Sequence, residues 1–90
     1  MGLAWKIEFT DTANKQLKKL DKQSSKRLLT WIEDRIPNCS DPKLWGEALQ
    51  ANRKEQWRYR VGDYRIICEI QNHILIVRVI EIGHRCEVYR

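Results

Sequence analysis

WRYRVGDYRIICEIQNHILIVRVIEIGHRCEVYR, running from Trp57 to Arg90, is the stretch whose reading decides the fold. Bulky apolar and charged residues alternate through it, the period of two that marks strands with one wet face. Trp57–Arg60 and Tyr64–Ile70 flank Val61-Gly62-Asp63, and Gly-Asp at the corner is a hairpin signal. Asn72-His73 separates the second strand from a third, Ile74–Ile82, and Gly83 ends the sheet. The expected product is an antiparallel meander of three strands.

With a two-residue turn at each corner, Arg58 opposes Ile67, Arg60 opposes Arg65, Ile67 opposes Arg78 and Arg65 opposes Ile80. Alternation then sorts the side chains. Trp57, Tyr59, Tyr64, Ile66, Cys68, Ile70, Leu75, Val77 and Val79 share the face to be covered. Arg58, Arg60, Arg65 and Arg78 share the opposite face with Ile67, Ile76, Ile80 and Ile82. A one-residue change in either turn would undo this partition.

The permanently cationic side chains of the stretch are all arginines, and all eight lysines of the chain lie at or before Lys54. A guanidinium binds phosphate bidentately, which an ammonium cannot do. Directly opposed like charges destabilise a ladder, so Arg60 facing Arg65 calls for an anion. Two readings of this face stand side by side: an ordinary wet sheet surface, or a surface for a phosphate backbone and an acidic partner segment.

Working outward, Ala4–Phe9 alternates as an N-terminal strand, with Trp5, Ile7 and Phe9 on one side. Thr10 or Asp11 can cap a following helix by accepting from the free amides of its first turn. Ala13, Leu17 and Leu20 form its apolar stripe, and its lysines face solvent. After a polar break at Asp21–Ser25, Leu28, Trp31, Ile32 and Ile36 mark a second helix that Pro37 stops. The two make an antiparallel helical hairpin. Asn38–Glu55 reads as an irregular loop in which Leu44, Trp45 and Leu49 tuck against the domain edge. The fold class is therefore α+β: N-terminal strand, helical hairpin, antiparallel meander, in one domain over residues 1–90.

At 90 residues and a net charge of +5, the chain has room for one core and favours an anionic partner. Neither a signal peptide nor a bilayer-spanning run is present, so a cytoplasmic protein is expected. Cys39, Cys68 and Cys86 are an odd number at wide spacing, unlike a disulfide framework or a zinc site. There is no carboxylate pair, no Ser-His-Asp arrangement and no metal-ligand spacing, so no metal or cofactor is expected. His84 is a candidate general acid or base. Phosphodiester cleavage without a metal is feasible on RNA, whose 2′-OH is a built-in nucleophile, and far harder on DNA. RNA is the substrate if the chain is an enzyme.

From end to end the chain resembles the RelE/ParE superfamily of bacterial toxins, and within it the RelE-like branch. WRYRVGDYRIICEI at Trp57–Ile70 is similar to the family's R-x-G-x-Y-R-hydrophobic hairpin. IEIGHRCEVYR at Ile80–Arg90 is similar to its Gly-His/Lys-Arg…Val-Tyr tail. The resemblance implies a RelE-like microbial-RNase-type fold and a ribosome-dependent mRNA endoribonuclease that inhibits translation. It implies a RelB-like antitoxin, held in a hetero-oligomer through an acidic amphipathic segment that folds on binding, with ribosome and mRNA as the other partners and no membrane. Arg65 takes the phosphate-binding role, Arg85 the stabilisation or protonation of the leaving oxygen, and Tyr89 the orientation or stacking of substrate. Arg58 matches a basic position on the preceding strand, and Arg60, Arg78, Lys54 and His84 are further phosphate or RNA contacts. Gln56 stands near where some members carry a lysine base, which leaves Lys54 or His84 to substitute or the base unassigned. Cys86 replaces a second basic residue after Arg85. A ParE-like gyrase poison and a non-catalytic RNA- or antitoxin-binding module are the alternatives.

Overall fold

The computed structural model describes residues 4–48 and 56–84. Two helices and a five-stranded mixed sheet build it, with strand order β1-β5-β4-β3-β2. The strands are β1 (Lys6–Phe9), β2 (Gly46–Ala48), β3 (Gln56–Val61), β4 (Tyr64–Gln71) and β5 (Ile76–His84). The helices are α1 (Asp11–Lys19) and α2 (Lys22–Arg35). The expected meander β3-β4-β5 is present and antiparallel. β1 adds to it in parallel beside β5, and β2, drawn from the stretch expected to be loop, adds in antiparallel beside β3.

Both helix starts follow from local chemistry. Thr10 accepts from the Ala13 amide at 3.1 Å and Asp21 from the Ser24 amide at 3.1 Å, each satisfying a donor with no partner inside the helix. Asp21 therefore opens α2 at Lys22, earlier than the polar composition of 21–25 implied. Leu17, Leu28, Ile32 and Ile36 pack on Tyr59, Ile66, Cys68, Ile70, Val77 and Val79 in one core. Trp57, Tyr64 and Leu75 pack against its margin, so the covered face is as the alternation predicts.

The first hairpin has the expected register, with Arg58 opposite Ile67 and Arg60 opposite Arg65. Gly62 has φ +61, as a primed hairpin turn with glycine at its first central position requires. The second hairpin differs. Its connection is a 3₁₀ turn over Asn72–Ile74 followed by Leu75 at φ 55, and β5 carries a register shift opposite Ile67/Cys68. Arg78 consequently opposes Glu69 rather than Ile67, and Gly83 rather than Ile80 opposes Arg65.

Helix α1 is what holds that shift. The Thr10 hydroxyl donates to the Ile80 carbonyl at 3.1 Å, and the Gln16 side-chain oxygen accepts from the Ile82 amide. Both groups would otherwise be orphaned by a bulge. Beyond it the faces of β5 exchange, so Ile82, expected among the arginines, is 2% exposed in the core. Among the described residues no helix is long and apolar enough to cross a membrane.

Candidate functional site

Three arginines meet on the sheet face away from the helices. Arg58 and Arg60 project from β3, and Arg65 stands opposite Arg60 on β4. Arg65 is only 7% exposed. One of its terminal nitrogens donates to the carbonyls of Gly62 at 3.1 Å and Tyr64 at 3.0 Å. The guanidinium is thus clamped to the hairpin turn and its charge has a fixed position, the preorganisation that electrostatic stabilisation depends on. Ile67, on the same face, is 1% exposed and lies outside the main core, so this face is not the open arginine–isoleucine surface that alternation implied.

Strand β2 brings in the anion that the opposed arginines need. The Glu47 carboxylate accepts from Arg58 at 2.6 Å, and the same oxygen lies 3.5 Å from Arg60. The hydrogen bond from Arg58, and then the charge of Arg60, hold the Glu47 carboxyl below its ordinary range. One carboxylate bridging two guanidiniums marks a place where a phosphate-sized anion fits.

The strap carrying Glu47 is rigidly seated. Asp41 caps a 3₁₀ turn over Pro42–Trp45. The buried Tyr59 hydroxyl donates to the Pro42 carbonyl at 2.9 Å, and the Trp57 indole donates to the Lys43 carbonyl at 3.1 Å. Burial pushes the Tyr59 hydroxyl far above its usual range, so it stays a neutral donor. A Cβ at Gly46 would overlap the Arg58 carbonyl oxygen, so only glycine lets β2 close on β3 here.

The remaining expected site residues fall in three groups. Arg78 is not with the other arginines: it pairs with Glu8 at 3.4 Å, on the β1 side of the sheet. His84 ends β5 opposite Tyr64, their rings edge to face with centroids 6.0 Å apart, which turns it to the face opposite Arg65. Lys54, Arg85, Tyr89 and Cys86 lie outside the described residues. Gln56 begins β3 with its side-chain oxygen buried and without a hydrogen-bond partner among the described residues. Cys68, fully buried, has its thiol pushed well up, and burial also raises that of Cys39. Neither is a ready thiolate.

A family model for the ParE toxin of type II toxin–antitoxin systems, the ParDE pair, matches residues 7–89. The chain belongs to this toxin family. Solved structures show the toxin's fold to be that of RelE. It is similar to the RelBE2 toxin–antitoxin complex of Mycobacterium tuberculosis, with a TM-score of 0.81 and 22% identity over 94% of this chain and 95% of that one. A mutant Escherichia coli RelE in the free state gives 0.77 and 17%, over 96% and 88%. The archaeal RelE–RelB complex of Pyrococcus horikoshii gives 0.73 and 19%, over 92% and 97%. No curated protein sequence matches the toxin. The resemblance carried by the hairpin and tail motifs is therefore borne out for superfamily and fold.

Sequence reasoning missed three residues of the toxin that sit around the arginines. Glu47 was hidden because Gly46–Ala48 has no alternation to mark it as a strand. Arg27 of α2 lies over the hairpin turn, its terminal nitrogens 3.0 Å from where a Gly62 Cβ would stand. Trp45, expected to be tucked in, is 44% exposed beside Leu44 at 74%. The signal for Trp45 was available: Pro42 and the Asp41 cap make a turn in which successive side chains diverge.

Proposed function

We propose that this toxin is a ribosome-dependent mRNA endoribonuclease, neutralised by an acidic, RelB-like antitoxin. The observation that carries the reading is the seat formed by Arg58, Arg60 and Arg65, already bridged in part by a carboxylate. In the reaction the 2′-oxygen of one nucleotide attacks the adjacent phosphorus and loses its proton to a base. The bond from phosphorus to the 5′-oxygen breaks, and that oxygen is protonated as it leaves. A 2′,3′-cyclic phosphate and a 5′-hydroxyl result, and no metal is required. Arg65 holds the scissile phosphate and the growing charge on its oxygens. Arg58 and Arg60 hold a neighbouring phosphate. Arg85 stabilises or protonates the leaving oxygen and Tyr89 orients the substrate, roles that rest on the tail motif. With His84 turned to the Tyr64 side, Lys54 is the candidate base.

Each preorganised group acting on transition-state charge is worth about 10²–10³ in rate. Arg65→Ala or Arg85→Ala should lower cutting of translated mRNA, read by primer extension, by that order. Undiminished cleavage by both variants would defeat the assignment. Because the matching family model is that of ParE toxins, gyrase poisoning is the second reading. Induction of DNA damage, with translation intact, would establish it instead. In either case, co-expression with an antitoxin encoded beside the toxin should abolish the effect.

A further inference from the structure

Trp45 is the largest exposed aromatic side chain among the described residues, and it has no part in the cleavage roles given to the arginines. It lines two shallow concavities. On one side Arg35 reaches in from α2, its guanidinium carbon 5.7 Å from the Trp45 centroid and 4.8 Å from that of Trp31. On the other side lies a concavity of roughly 230 Å³ shared with Leu44, Gly46, Glu47, Arg58 and Arg60. A flat exposed ring is thus set one residue before the strand whose Glu47 bridges two arginines. The turn under it is pinned by Tyr59 and Trp57, so the ring is held in place and not on a loose loop.

We propose that Trp45, Arg58 and Arg60 form a nucleotide subsite for single-stranded RNA, with one unpaired base stacked on the indole and its phosphate on the two guanidiniums. This rests on the ribonuclease reading and extends it to a position beside the scissile phosphate. Three features single out a nucleotide. The concavity is below the range of about 300–1,000 Å³ usual for drug-sized ligands, too small for a peptide helix and suited to one base. Its lining sets an exposed tryptophan beside two guanidiniums, the pairing of aromatic platform and positive charge that single-strand binders use without reading sequence. The Glu47 carboxylate, 58% exposed on a flexible side chain, occupies the anion position in the free toxin and can swing clear when a phosphodiester, with two acceptor oxygens, engages both arginines.

The test is binding of the full-length toxin to a short fluorescent 2′-O-methyl RNA, which has no free 2′-OH and stays intact. Stacking is worth about 1–3 kcal/mol per base, so Trp45→Ala should weaken binding by about 5- to 150-fold. Trp45→Phe should keep most of the affinity, and Trp45→Leu should behave as the alanine variant does. The salt dependence should stay unchanged in Trp45→Ala and flatten in Arg60→Ala, since only the second removes a phosphate contact. Unaltered affinity in Trp45→Ala overturns the subsite. So does leucine performing as well as phenylalanine, or a loss confined to binding of an acidic antitoxin peptide. If the wild-type toxin binds no free RNA, the subsite falls, whereas the ribosome-dependent ribonuclease reading falls only if translated mRNA is left uncut in the primer-extension assay.

Discussion

Glu47 decides how the arginine seat behaves before substrate arrives. Its carboxyl is held low by Arg58 and Arg60, so its contribution is present at and above the ordinary carboxylate range and is lost as pH falls through its lowered value. Through the neutral range it therefore stays ionised and competes with phosphate at a constant level. Replacing it by glutamine keeps the shape and removes the charge. Glu47→Gln should tighten RNA binding several-fold at low salt, with the gain fading as salt screens the seat. Weaker binding would mean that the carboxylate positions the arginines rather than competing for them. Gly62 illustrates a different demand at the same scale: with φ +61 and Arg27 packed over it, any side chain there meets both backbone strain and a guanidinium.

At the scale of elements, the bulge in β5 is set by two side chains of the first helix region, Thr10 and Gln16, which serve the Ile80 carbonyl and the Ile82 amide. Gln16→Leu keeps bulk but orphans the Ile82 amide, which should cost about 1–3 kcal/mol. A thermal melt reads this as a loss of roughly 4–8 °C per kcal/mol for a domain this size. An unchanged melting temperature would show that the bulge holds itself. The same bulge explains what was legible in the sequence. Alternation correctly assigned Tyr59, Ile66, Cys68, Val77 and Val79 to the core, because those residues lie before the shift. It misassigned Ile82, because a bulge is imposed by partners distant in sequence and leaves no mark on the strand. Arg58, Arg60 and Arg65 were readable as a group from a two-residue turn. Glu47 was not, because a three-residue edge strand takes its identity from the neighbour it pairs with.

For the whole molecule, a net charge of +5 sets the long-range attraction to RNA, while the seat sets where phosphates rest. If Arg65 neutralises one phosphate and Arg58 with Arg60 a second, the slope of log affinity against log salt should be about −1.4. A much steeper slope would mean that the lysine-rich helices carry RNA as well. A slope near zero would mean that charge is not what holds it.

The parallel pairing of β1 with β5 has a consequence for the order in which the chain assembles. Lys6 meets Ile76, and Phe9 meets Val79, so the first strand finds its only strand partner among the described residues about seventy positions downstream. The contacts of Thr10 with Ile80 and of Gln16 with Ile82 likewise wait for β5 to arrive. Closing so long a loop carries an entropy cost repaid only when both ends dock, and non-local pairing of this kind slows folding. The β3–β4 hairpin, whose contacts are local, can form early. The strand that begins the chain is then among the last to reach its place, and until it does the apolar edge of β5 lies open.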